Sequence, residues 1–227
     1  MAERKRSRRG THYWRHSVRY ERGEEEFGRV LSFSDGLFAI AMTLLVVGIV
    51  VPKLTDGDSV GDLATALNDL IPNFVSFFIS FAVIGRYWLA HHEFIARLSA
   101  MDNGLISLNL VYLGFIAFLP FPTALLGNYF ENPLSVATYA VAVAAVSGME
   151  VVLFRHAHRR GLMRKGMPEE VFRYGAAASL APVLFFLLSI PIAFFHTGLA
   201  VASWYLVIPF EFLVVDRFKP EAAEGFY

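Results

Sequence analysis

One carboxylate set in an uncharged apolar run is the first feature of this sequence that invites chemistry. Asp35 stands near the start of Arg29-Val-Leu-Ser-Phe-Ser-Asp-Gly-Leu-Phe-Ala-Ile-Ala-Met-Thr-Leu-Leu-Val-Val-Gly-Ile-Val-Val-Pro52, and no charge follows it from Gly36 to Val51. With the Phe33-Ser34-Asp35 turn included, that run reaches the roughly 20 residues that span a bilayer. An ionised carboxylate at membrane depth is disfavoured by at least about 2.5 kcal/mol, so Asp35 needs a partner. It lies six residues past Arg29, roughly 9 Å along a helix axis, which places it just inside the boundary rather than at the midplane. A second apolar run ends in Arg86-Tyr-Trp-Leu-Ala-His-His-Glu93 and offers Trp88, His91 and His92 at matching depth. Trp88 and His91, three residues apart, share a helix face. The expected arrangement has His91 donating to Asp35, Ser34 sharing the network and Arg29 anchoring the helix end. That role is structural, and a histidine partner brings pH sensitivity within reach. His91, His92 and Glu93 also suggest a metal or enzyme site, but adjacent helical residues point about 100° apart. No metal site, no cofactor and no enzyme activity is expected, since no nucleophile motif accompanies them.

The elements that position these residues are membrane helices. The chain has 227 residues, 56% hydrophobic and 18% charged, with a mean hydropathy of +0.48. Those values describe an integral membrane protein. With no cysteine, disulfides and thiolate metal sites are excluded. Residues 2–29 are polar throughout and do not read as a secretory leader, so the first span is expected to be an uncleaved anchor. After it come a turn-rich loop, a second span over about Leu67 to Ala96, and a third capped by Asp102-Asn103 and uncharged to Phe130. Asn132-Pro133 should cap and open a fourth span ending near Glu150 to Arg155. The uncharged stretch from Tyr174 to Phe210 suits two short spans that turn at His196-Thr197-Gly198. The reading is all-α with six transmembrane helices: a basic arm over 1–28, a transmembrane domain over 29–218 and a tail over 219–227. No internal repeat relates the first three spans to the last three.

Charge gives the orientation. Of the 20 lysines and arginines, Arg86 lies within a helix and Lys53 falls on one side, while all the rest fall on the other. Positive residues stay inside, so both termini are expected to be cytoplasmic. The arm reads as a topogenic, membrane-adjacent segment, with no nucleic-acid partner expected. The outer loops carry Asp56, Asp58, Asp62, Asp69 and Glu131, ordinary solvated acids that attract cations modestly. Prolines 120, 122, 182, 191 and 209 should kink or end helices.

On a 3.6-residue period Ile40, Thr43, Leu44, Val47 and Val51 form one stripe of the first helix, and Asp35 points about 140° from Ile40. One face can line a passage while another packs the acid into protein.

Arg29-x-x-x-Phe33-Ser34-Asp35 resembles the signature of the transmembrane protein 175 family, cation channels of bacteria and lysosomes that favour potassium. The following Gly36 to Leu45, Trp88-x-x-His91, and the segment from Leu108-Asn109-Leu110 to Leu119-Pro120 also resemble it, over about the first 130 residues. The resemblance implies a homotetramer in the lipid bilayer of a bacterial plasma membrane, with four copies of the first helix around a central pore. Ile40 takes the position of the bulky hydrophobic constriction, Thr43 a polar layer, and Val47 a further apolar layer where the family has a larger leucine or isoleucine. Leu44 completes the lining. Arg29, Phe33, Ser34, Asp35, Trp88 and His91 take the motif positions, and the only metal is potassium in transit. A narrow apolar ring gates by dewetting. The Thr-Val-Gly-Tyr-Gly filter of ordinary potassium channels is absent, so selectivity should be moderate. Two alternatives stand beside a passive channel: a proton-coupled secondary transporter using Asp35 and His91 as a relay, and a membrane enzyme built on His91, His92 and Glu93.

Overall fold

In a computed structural model, described for residues 19–54, 59–164 and 168–210, the chain is a helical bundle with one small ribbon. The basic arm to residue 18, the loop acids Asp56 and Asp58, residues 165–167 and the expected tail lie outside the described residues.

The first helix, α1 (Glu25–Val47), opens with Glu25 and Glu26 in its first turn, where acids suit the helix dipole. It ends at Val47, before the expected Pro52, because Gly48 closes the last turn and proline holds the preceding residues extended. The expected second span divides in two. A surface helix, α2 (Val60–Asp69), is capped by Ser59, whose hydroxyl accepts the Asp62 N–H, and buries nothing. The chain then restarts as α3 (Ile71–Ala96), with a proline in its first turn.

The third span is kinked. Asp102 caps α4 (Asn103–Phe118) by accepting the Leu105 N–H, and Pro120 restarts the chain as α5 (Pro120–Asn128). The Asn132 cap and Pro133 open α6 (Pro133–Arg159) as expected, with the helix running past Arg155 to end on a basic turn. Next, α7 (Glu169–Ala193) begins before Tyr174 and absorbs Pro182 and Pro191. The chain turns at His196, which caps α8 (Thr197–Trp204), and α9 (Val207–Phe210) follows after a break. Four stretches among the described residues are long and apolar enough to cross a membrane: α1, α3, α4 with α5, and α6, while α7 contributes a shorter apolar segment, Pro182–Ala193.

The core lies where α3, α4 and α6 meet, around Ile84, Tyr112, Leu113, Ile116, Tyr139 and Val143. There α1 packs on α3, α4 and α5, and α7 closes the far side against α6. Two strands absent from the sequence reading, β1 (Arg19–Glu21) and β2 (Ala100–Asp102), pair antiparallel with Tyr20 opposite Met101. The end of the basic arm is thus fixed to the start of α4. Arg22 adds to this by donating to the Ile95, Ala96 and Leu98 carbonyls at 3.1, 2.8 and 3.3 Å, capping α3.

Candidate functional site

The site is α1 and what holds it. Ser34, Phe38, Ala41 and Leu45 recur at helical spacing and are buried against the bundle. The opposite face is open: Ile40 is 60% exposed, Val47 69% and Leu44 46%, with Phe33, Gly36 and Thr43 exposed beside them. The Thr43 hydroxyl donates to the Ile40 carbonyl at 2.8 Å, so it presents its lone pairs outward. The stripe expected from periodicity is therefore a continuous, unpartnered face of the single chain.

Behind it the motif residues do meet, but not in the expected pairing. Asp35 takes its hydrogen bond from Trp88, Nε1 to Oδ1 at 2.9 Å, and not from His91. His91 Nε2 faces Asn109 Oδ1 at 2.8 Å, and Asn109 Nδ2 donates to Ser34 Oγ at 3.0 Å. Ser34 passes its own proton to the Val30 carbonyl at 2.9 Å. The correction has a physical cause: α4 packs against α1, and its buried Asn109 reaches between Ser34 of α1 and His91 of α3, taking the bond that His91 would otherwise offer to Asp35. Trp88, three residues earlier and half-exposed, is left to meet the acid at the bundle's edge. The proton relay from Asp35 to His91 that the transporter alternative needs has no direct hydrogen bond here. His91 also packs its ring against Phe38 of α1, at 5.5 Å between centroids.

Arg29 and Phe33 stay outside this network. Both line a groove of about 880 Å3 between the first turns of α1 and the face of α4 carrying Ile106 and Leu110. His91 and His92 also part: the first is buried, while the second sets its ring at a tilt beside Trp88, 5.7 Å between centroids.

Asn109 enters the sequence reading only within the resembling Leu108 to Pro120 segment and is given no part in this network there. Its signal was an amide in an uncharged span, which needs a partner inside the bundle. A second missed feature is a line of polar residues on the buried face of α3: Asn73, Ser76, Ser80, Tyr87 and His91. Each meets a neighbour, as in Asn73 to Asn128 at 3.1 Å, Ser80 to Tyr139 at 3.0 Å and Tyr87 with Ser147 at 2.6 Å. These bonds fasten helices to each other where lipid offers no hydrophobic drive. A third is the second role of Asp102, expected only as a cap: it also meets His156 Nε2 at 2.9 Å at the end of α6. Burial alone would raise the Asp102 carboxyl's pKa, but the Leu105 N–H, His156 and Arg160 outweigh it and hold the group below the usual carboxylate range.

An apolar helical bundle whose first helix keeps an open aliphatic stripe, with its acid turned toward Trp88, is the architecture of a multi-span membrane protein. The comparisons give it a family. The family model described as endosomal/lysosomal potassium channel TMEM175 matches residues 29–120. A potassium channel of Streptomyces collinus is 38% identical over 140 residues, covering 60% of this chain and 66% of the relative. A potassium channel of Chamaesiphon minutus is 37% identical over 137 residues, covering 59% and 67%. The crystal structure of a lysosomal potassium-selective channel TMEM175 homolog from Chamaesiphon minutus superposes with a TM-score of 0.70 at 28% identity, over 85% of this chain and 100% of that one. The chain belongs to the TMEM175 family, a family of ion channels and not of enzymes. Its alignments span about two thirds of the length of those two potassium channels.

Proposed function

We propose that this chain is the subunit of a passive, potassium-preferring monovalent cation channel. Four copies place α1 around a common axis, and a ring of Ile40 side chains forms the hydrophobic constriction. Thr43 supplies a polar layer above it, Leu44 and Val47 complete the lining, and each subunit contributes six membrane helices counting α7 and the α8–α9 segment. The channel sits in the plasma membrane with both termini in the cytoplasm, as the distribution of lysines and arginines favours. The observation that carries the reading is the open face of α1: Ile40 and Val47 are among the more exposed large apolar residues described, on a helix whose opposite face, Ser34, Phe38, Ala41 and Leu45, packs into the bundle. The names of the bacterial relatives supply the ion. An aliphatic ring offers no replacement for a hydration shell, so permeation requires it to widen or to be wetted.

The test is current across bilayers containing the purified protein, with reversal potentials measured in potassium against sodium. Potassium should be preferred, and Ile40→Asn, which wets the ring, should raise conductance or relax the preference. Wild-type protein that passes no current, or an Ile40→Asn variant indistinguishable from it, would refute the pore assignment.

A further inference from the structure

On the side of His91 away from α1, a cavity of about 100 Å3 lies among His91, Tyr112, Glu150, Arg86, Glu93 and Arg97. Two buried polar atoms belong to its lining residues and have no hydrogen-bond partner among the described residues: His91 Nδ1 and the Tyr112 hydroxyl. His91 is 2% exposed and Tyr112 0%. Their rings lie parallel, 6° apart in plane with centroids at 5.5 Å, so their in-plane polar atoms do not point at each other. Buried polar atoms are nearly always met by some partner.

The tautomer follows from the neighbouring bonds. Asn109 spends its amide protons on Ser34 and presents its oxygen to His91 Nε2, so Nε2 carries the ring proton. In the neutral ring Nδ1 is then a bare acceptor, and beside it Tyr112 can both donate and accept. The charges around the cavity cancel, with two arginines against two glutamates. Neither a cation nor an anion is favoured, and a small neutral molecule that donates and accepts is. A water needs roughly 10–15 Å3 of such space, so several fit. The rim reaches the surface at Glu93, whose side chain is 56% exposed and pairs with Arg97 at 3.2 Å.

We propose that this cavity is a hydration site in which water bridges His91 Nδ1, Tyr112 and Glu150, giving protons from the Arg97 face of the membrane access to His91. A hydronium arriving at the rim hands its proton along the waters to Nδ1. The ring becomes an imidazolium with both nitrogens donating, one to water and one to Asn109, and the displaced water remains neutral. The new charge faces Asp35 from α1, Arg86, His92, Glu93 and Arg97 from its own helix, Tyr112 from α4 and Glu150 from α6. It acts on α1 through Asn109 and Ser34, so the channel responds to pH on one face only. The route for protons stands by itself; its effect on current rests on the channel reading above.

Two measurements test it. Water-edited solid-state NMR of protein in liposomes, with 15N-labelled histidine, should find the His91 Nδ1 in contact with water, and Tyr112→Phe should weaken that contact. No water contact at that nitrogen overturns the site, whether or not the protein conducts. Potassium currents are then recorded with pH stepped from about 8 to about 5, the range over which histidine ordinarily switches, on one face at a time. An N-terminal tag marks the Arg97 face, because β1 is tied to the end of α3. The current should change about two-fold or more from that face and not from the other. His91→Gln, which keeps a donor for Asn109, should remove the response from whatever current it carries, and Tyr112→Phe should diminish it if the glutamine variant does not fold. A response from the opposite face, or one that survives both substitutions, overturns the proposal. Absence of any current contradicts the channel reading, and the NMR result then decides the hydration site alone.

Discussion

Asn109→Leu should cost the protein about 2–4 kcal/mol, a figure that follows from the bonds around the amide. Leucine keeps the branched shape, though it is bulkier, and cannot hold His91 Nε2 at 2.8 Å or reach Ser34 Oγ at 3.0 Å. Side-chain hydrogen bonds between membrane helices average about 0.6 kcal/mol and reach about 1.7. Ser34 suffers little, since its own proton already goes to the Val30 carbonyl. His91 suffers more: its Nε2–H would be left buried among apolar atoms, a penalty of about 1–3 kcal/mol. The assay is reversible unfolding in bicelles by steric trapping, comparing wild type, Asn109→Leu, Ser34→Ala and the double variant. The cycle should return a coupling of about 0.6 kcal/mol between the two positions. A loss below about 0.5 kcal/mol for Asn109→Leu would refute the claim that this amide joins α4 to α1 and α3.

Gly127→Ala should destabilise by about 1–3 kcal/mol, because the added carbon would lie 2.9 Å from Asn73 Cα and 2.7 Å from Ser76 Oγ, forcing α5 off α3; thermal unfolding in detergent measures it, and an unchanged midpoint contradicts the close approach. Asp102→Asn keeps the helix cap but removes the charge. Since folding depresses the Asp102 carboxyl's pKa, its stabilisation is present above the ordinary carboxylate range and is lost as pH falls through the folded value. The variant's stability should therefore lie below wild type at neutral pH and converge on it in acid, and parallel curves would show that the charge is inert. In this cysteine-free chain, Ile40→Cys should cross-link copies of the subunit under mild oxidation while Phe78→Cys should not. Failure of the first, or equal yield from both, speaks against α1 at the axis.

Much of this fold was legible because its signals are local. Asp102, Asn132 with Pro133, and His196 each mark a helix start through a side chain that accepts a nearby backbone N–H, and all three do so. Breaks were harder: only Asn68-Asp69 interrupts the run between Leu67 and α3, and Pro72, in the first turn of α3, marks where the helix restarts. The site was legible as a set of residues and not as a pairing. Spacing puts Trp88 and His91 on one face, but which of them reaches Asp35 depends on how far α4 inserts, a tertiary quantity that no periodicity encodes. The polar line on α3 escaped notice because serine and tyrosine barely lower the hydropathy of a window, and Asn73 stands at the start of the helix, where a polar residue is ordinary. The β1–β2 ribbon escaped because three-residue strands carry no pattern.

Side-chain size separates two kinds of exposed surface. On α3 the outward residues are bulky, with Phe74, Phe78, Phe81 and Leu89 among them, as suits contact with fluid acyl chains. The open face of α1 instead sets Gly36, Ala39 and Thr43 among Phe33, Ile40, Leu44 and Val47. Small and hydroxylated residues gain little from lipid and much from another helix, because they let backbones approach closely and bond across the gap. That contrast within one chain favours protein or a water-filled bore, rather than lipid, opposite the Ile40 stripe. In the proposed tetramer the turn of Asp35 toward Trp88 has a use: an acid on the open face would sit beside its own copies around the axis, where like charges at membrane depth would repel.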